Sequence, residues 1–251
     1  MCQSKEFARA RRAREYRRST SMRSFSGTEE EWLERRIKDC LQNKSKKLEL
    51  TDRGLKLDNE SLPSVALLKL THLEELNLSD NKFTTFPEEI FQLTKLRILR
   101  LSRNKLTELP ANIHKCQTLE VLMLDNNKIT QLSPLIRKLS KLKSLSLENN
   151  RLTYLPEELG DLQKLQELTV SQNKIAMFPE DMFRQGSRLR KIFANTNELV
   201  VCTGLRRAWR VLNRYSIASY CLRFCSCCSP SPLYSIILCV VIIFFRVSRE
   251  A

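Results

Sequence analysis

One polar residue recurs through the middle of this chain at a fixed interval. Asn81, Asn104, Asn127, Asn150 and Asn173 lie 23 residues apart, and Asn197 follows after 24. Each closes the same phrase. Leu73, Leu76, Leu78 and Asn81 return as Leu96, Leu99, Leu101 and Asn104, then as Leu119, Leu122, Leu124 and Asn127. Leu142, Leu145, Leu147 and Asn150 continue the series, followed by Leu165, Leu168, Val170 and Asn173. A weaker last copy holds Leu189, Ile192, Ala194 and Asn197. One such phrase cannot bury its own apolar face, but a stack of them can. The spacing therefore decides the fold and moves the functional question from catalysis to binding.

Within a phrase, Leu76 and Leu78 stand two apart and point to one side of a strand, toward the core. Asn77 between them points outward. The closing Asn turns the chain, and its amide can satisfy backbone groups of its own and the neighbouring repeat. The second half is equally regular. Pro87, Pro110, Pro156 and Pro179 start the return segment, with Ser133 and then Pro134 in the copy between Pro110 and Pro156. Ile90, Ile113, Ile136, Leu159 and Met182 follow in register, then Leu93, Cys116, Leu139 and Leu162. A spacing of three fits a short helix or 3-10 turn with one apolar face. Cys116 sits at a leucine position and reads as a buried small hydrophobe rather than a reactive thiol.

The phrase "LEELNLSDNKFTTFPEEIFQLTK" and its copies, residues 45–200, resemble the intracellular leucine-rich-repeat class with 23-residue repeats. Ras-suppressor and Scribble-type scaffolds belong to it. The resemblance implies an α/β solenoid with a curved, parallel concave sheet, a short helical or 3-10 convex side, and capping helices. It also implies a protein partner, with a small GTPase or a signalling complex as the class.

Five segments follow. Residues 1–27 form a basic arm expected to be disordered. Residues 28–44 read as an N-terminal capping helix, or alternatively a partner-binding one. Thr28 with Glu31 suits a capping box, and Leu33, Ile37, Cys40 and Leu41 make one stripe. Residues 45–200 hold about six repeats plus a degenerate first one, Leu48, Leu50 and Leu55, with Arg53 where Asn should stand. Residues 201–224 read as a C-cap or a basic amphipathic helix on an anionic membrane, and residues 225–251 as a Cys-rich, hydrophobic tail.

The formal charge of +15 belongs mostly to the ends. Residues 1–26 and 201–251 each carry +6, leaving +3 for the body between. In the arm, Ser19, Thr20, Ser21 and Ser26 follow arginines closely and resemble basophilic kinase substrates, where phosphate would cancel positive charge. Nucleic-acid contact through the arm is the weaker alternative, since nothing beside it reads bases. A mitochondrial transit reading is weakened by Glu6 and Glu15, and no apolar run of a secretory signal is present.

Five of nine cysteines follow residue 220: Cys221, Cys225, Cys227, Cys228 and Cys239. Leu233–Phe245 then gives 13 apolar or near-apolar residues with Arg246 and Arg249 behind, short of the roughly 20 that span a bilayer. Three readings stay open. One is a membrane anchor with Cys221, Cys225, Cys227 and Cys228 palmitoylated. The second is a buried strand, and the third an alternative end that never evolved as structure. Zinc is least favoured, because no second pair completes the Cys225 and Cys228 spacing. The lone Cys40 and Cys202 near the ends of the stack point to a reduced, cytoplasmic body. Association with the cytoplasmic face of a membrane through the tail is the added alternative.

No catalytic constellation, metal site or cofactor motif emerges. His72 and His114 are expected as exposed loop residues, and the five glycines do not cluster. Binding is the positive expectation. The outward strand positions Glu75, Asn77, Ile98, Arg100, Val121, Met123, Ser144, Ser146, Glu167 and Thr169 make the candidate surface. Arg103 and Asp125 lie one step along, and Lys191 with Phe193 ends the series. Ile98, Val121 and Met123 supply an apolar centre and the charges a rim, the usual build of a protein interface.

Overall fold

The computed structural model describes residues 29–52, 54–55, 67–86, 88–179, 182, 188–198, 200–201 and 223–224. Helix α1, Glu29–Gln42, comes first. Seven three-residue strands follow: β1 Lys47–Glu49, β2 Glu75–Asn77, β3 Ile98–Arg100, β4 Val121–Met123, β5 Ser144–Ser146, β6 Glu167–Thr169 and β7 Lys191–Phe193. They form one parallel sheet in sequence order. Leu76 faces Leu99, Leu99 faces Leu122, and Leu122 faces Leu145, so equivalent residues of each repeat stand side by side.

Parallel neighbours need a crossover between them. Here 3-10 helices supply it, at Glu88–Gln92, Ala111–Lys115, Pro134–Lys138 and Glu157–Asp161. Proline pre-sets the entry: Pro110 and Pro156 hold φ −66° and −68°. Ser133 holds the same φ, −67°, without a ring, and its hydroxyl accepts from the Leu135 N–H at 3.3 Å. The central Leu of β1 to β6 with Ile192 of β7, the apolar residue two positions on, and Ile90, Ile113, Ile136 or Leu159 of the return segment fill one continuous core. Cys116 lies inside it.

The Asn side chains run through this core as a row. Asn127 donates from Nδ2 to the carbonyls of Leu101 (3.0 Å), Leu124 (2.9 Å) and Asp125 (3.3 Å). Its Oδ1 accepts from the Leu106 N–H at 3.0 Å. Asn104 bonds Leu78, Leu101 and Phe83 in the same way, and Asn150 bonds Leu124, Leu147 and Ile129. Each amide thus ties its own turn to the repeat before it, and all six are buried. At the degenerate first repeat the bridge still forms, because Asn81 accepts from Leu55 N–H and donates to the Leu50 carbonyl.

The residue before each Asn takes a positive φ. Asp80, Arg103, Asn126, Asn149, Gln172 and Thr196 lie between 53° and 59°. This left-handed turn lets the following Asn swing inward. Asp and Asn accept it readily, but a β-branched residue does not. Thr196, at φ 57°, is therefore strained. Thr196→Asn is expected to raise the unfolding free energy by about 1 kcal/mol in urea denaturation. An unchanged midpoint would count against strain at that turn.

Two features depart from the sequence reading. The degenerate first repeat, left out of the outward series that starts at Glu75, forms a full strand, with Leu48 opposite Leu76, so the sheet has seven strands. Its Leu-x-Leu core is intact although its spacing to the next repeat is longer. The two histidines are half-buried rather than exposed. His114 falls on a 3-10 helix with Nδ1 2.7 Å from the Ala111 carbonyl, and the Nε2 of His72 is buried with no hydrogen-bond partner among the described residues. Neighbouring repeats cover the edges of return segments that would be open in a single copy.

Helix α1 lies against β1 and buries Leu33, Ile37 and Cys40 in the common core, with Leu41 and Trp32 partly covered. The Cys40 thiol donates to the Ser45 carbonyl at 3.3 Å, where the chain leaves the helix, and burial pushes its pKa up. Thr28 and Arg53 lie outside the described residues, as do the arm with Ser19, Thr20, Ser21 and Ser26, the stretch 204–222, and the tail with Cys221, Cys225, Cys227 and Cys228. Of the expected C-terminal helix or cap, Arg223–Phe224 is described as a strand, β9, paired in parallel with β8, Val200–Val201.

Candidate interaction surface

Alternation along strands only three residues long gives each of β2 to β7 one buried residue and two that face out. The strand register aligns the outward residues in two files across the sheet. The first runs Lys47, Glu75, Ile98, Val121, Ser144, Glu167, Lys191. The second runs Glu49, Asn77, Arg100, Met123, Ser146, Thr169, Phe193. Ile98 and Val121 are therefore cross-strand neighbours, and Met123 stands beside Arg100. All four are half-buried, whereas Phe193 at the end of its file is 42 % exposed.

The charged residues around this centre are engaged with one another. Arg100 lies 3.7 Å from Glu75, and Lys47 3.0 Å from Glu49. Lys191 approaches Glu167 at 3.9 Å. Exposed pairs of this kind contribute little stability. Their effect is to hold side chains in place beside the apolar patch.

Arg103 and Asp125 occupy different ground. Arg103 is the left-handed residue of its turn, outside the strand, and its guanidinium meets Asp80 at 3.3 Å. Asp125 is turned inward to its own repeats. It accepts from the hydroxyls of Ser102 and Ser146 and from the Glu148 N–H at 2.9 Å. Burial, and then the charge of Asp125, pushes the Glu148 carboxyl above its usual range.

A file just before the strands was not among the residues expected from sequence. Lys46, Glu74, Arg97, Glu120 and Lys143 alternate in sign at successive repeats. Lys46 meets Glu74 at 2.7 Å and Arg97 meets Glu120 at 2.8 Å, with Lys143 on the far side of Glu120. Hydrogen bonds from Arg97 and then Lys143 hold Glu120 below the ordinary carboxylate range, and Lys46 does the same for Glu74. The 23-residue period carries that signal, had the charged columns been aligned as the leucines were. Lys47 and Glu49 were missed because the first repeat breaks the period.

Among the described residues, no group of three or more His, Cys, Asp and Glu could hold a metal ion, and no helix is long and apolar enough to cross a membrane.

A leucine-rich-repeat family model matches residues 58–106, 94–152, 117–175 and 140–199. This chain belongs to the leucine-rich-repeat family. Solved structures agree. A leucine-rich-repeat protein of Leptospira interrogans is 27 % identical with a TM-score of 0.57, over 74 % of this chain and 58 % of that one. An internalin of Listeria monocytogenes, InlF, shares the fold at 22 % identity and a TM-score of 0.61, over 76 % of this chain and 56 % of its own. The ectodomain of the Arabidopsis thaliana receptor kinase GASSHO1/SCHENGEN3 was solved in complex with Casparian strip integrity factor 2. It is 34 % identical with a TM-score of 0.52, over 62 % of this chain and 19 % of that one. The leucine-rich-repeat chain described here thus spans little more than half of the first two. None of the curated proteins compared with it matches.

Proposed function

We propose that this leucine-rich-repeat protein is a non-catalytic adaptor that holds a protein partner on the middle of its parallel sheet. The observation that carries the reading is the apolar centre at Ile98, Val121 and Met123. These side chains lie on two adjacent strands, half-open to solvent, with an ion pair on one side and Ser144 and Ser146 on the other. An apolar centre with a charged rim is how anchoring residues are arranged in interfaces. The serines leave shallow ground beside it, where a partner side chain larger than theirs would fit. The plant ectodomain is similar over 62 % of this chain and was solved in complex with a factor, which supports a recognition role for repeats of this kind. A small GTPase or a signalling complex is the partner class favoured by resemblance to 23-residue-repeat scaffolds, in the cytoplasm.

Met123→Glu and Arg100→Glu test it. The first buries a charge under the partner; the second reverses the rim and breaks the pair with Glu75. Each is expected to weaken partner affinity by at least about thirty-fold, while the thermal midpoint stays near that of the wild type. If capture of the purified partner survives both substitutions, the sheet face is not the binding site.

A further inference from the structure

A second surface lies along the edge where the chain leaves each Asn. The residue after the Asn is Lys82, Lys105, Lys128, Arg151 and Lys174 in five successive repeats. All five are exposed, and none forms an ion pair among the described residues. Their backbones are in register. The N–H of Lys105 donates to the Phe83 carbonyl, that of Lys128 to Leu106, that of Arg151 to Ile129 and that of Lys174 to Leu152, all at 2.8–2.9 Å. Each cation therefore stands one repeat from the next, and at about 4.8 Å per repeat the row is about 19 Å long. Acids flank it without pairing to it among the described residues: Glu108 is exposed on the same edge, Asp80 stands two residues before Lys82 but pairs with Arg103, Glu157 and Glu158 open the 3-10 helix after Tyr154, and Glu198 takes the next position, where the row ends.

A second observation lies on that edge. Tyr154 and Met177, three residues after Arg151 and Lys174, are 50 % and 55 % exposed, the most exposed large apolar residues described. Ala176 N–H donates to the Thr153 carbonyl at 3.3 Å, which sets Tyr154 and Met177 in adjacent repeats.

We propose that this edge docks on an anionic lipid surface, with the cation row over the headgroups and Tyr154 and Met177 entering the interface. A row of unpaired cations fits any polyanion by charge. An exposed aromatic and an exposed thioether at its end fit lipid better, because a solvated polymer gives them nothing to enter. The surface is distinct from the sheet face, so both can be occupied together.

Co-sedimentation of the full-length, unacylated chain with vesicles of phosphatidylcholine, alone or with phosphatidylserine added, tests the proposal. The tail and the basic ends are common to every variant and cancel in the comparison. Partitioning onto the phosphatidylserine vesicles is expected to fall with salt. It is expected to drop about five-fold for each cation removed, so on the order of 100-fold for Lys105→Gln, Lys128→Gln and Arg151→Gln combined. Tyr154→Ser with Met177→Ser should weaken it without changing the salt dependence, and Met123→Glu should leave it unchanged, which separates this surface from the sheet face. These side chains are exposed, so unchanged thermal midpoints are the check on folding. Wild-type partitioning by the triple variant would overturn the proposal. So would a row that responds to polyglutamate in solution but not to the vesicles, since the ligand would then be a soluble acidic chain.

Discussion

Asn127→Ala is expected to lower the unfolding free energy by about 3–5 kcal/mol, whereas Lys128→Ala, one residue on and exposed, should change it by less than about 0.5 kcal/mol. Urea denaturation of the two variants and the wild type makes the comparison. The asymmetry follows from what each side chain leaves behind. Removing the Asn127 amide strips a partner from the Leu101 and Leu124 carbonyls and from the Leu106 N–H, all in the buried interior of the turn. Buried groups without partners cost more than the net value of the hydrogen bonds they lose. Asn127→Asp should be at least as damaging, because its second oxygen would face the carbonyls that Nδ2 now satisfies. Loss of stability near that of Lys128→Ala would show that water replaces the amide, and that the row of asparagines is not what joins the repeats.

That row was legible in sequence because it rests on period alone. A residue every 23 positions must occupy the same place in every repeat, and a polar one among leucines at that place has backbone to satisfy. The outward strand positions were legible for the same reason, since alternation assigns faces without reference to any other part of the chain. Contacts between repeats were not. Arg100 reads as a free rim charge until β2 and β3 are paired, which brings Glu75 within 3.7 Å. Asp125 reads as a surface acid until its turn is built, when Ser102, Ser146 and the Glu148 N–H converge on it.

Cys116 carries the second large effect. Burial among the leucines pushes its thiol pKa from 9.0 up to about 11. Between those values the unfolded chain ionises its thiol while the folded chain keeps the proton. The unfolded state then binds fewer protons, so stability falls as pH rises from 9 to 11, by about 2–3 kcal/mol in total. Below pH 9 both states hold the proton and the contribution is constant. Cys116→Ala should flatten this part of the stability–pH curve relative to the wild type, while every other titrating group contributes equally to both. Alkylation offers an independent measurement. At neutral pH Cys116 holds about one-hundredth of the thiolate of an unperturbed cysteine, before its burial is considered. Mass spectrometry is expected to find it unmodified until the stack is unfolded. Rapid native labelling, or an alkaline slope that survives Cys116→Ala, would place the thiol outside the core.

The two largest effects lie on either side of what the chain states in its own letters. The sequence by itself determined the solenoid, the core positions, the buried place of Cys116 and the inward row of asparagines. These depend on a local pattern repeated at fixed intervals, and copies of one supersecondary unit have only one way to cover each other's apolar faces. Only the tertiary structure decided that the degenerate first repeat joins the sheet. It alone made pairs of Arg100 with Glu75 and of Arg97 with Glu120, and gathered along one edge five cations that are unpaired among the described residues. Such features are relations between side chains in different repeats. The parallel register brings residues more than 20 positions apart in the chain to within a few ångströms, and reading along a single repeat cannot supply that distance.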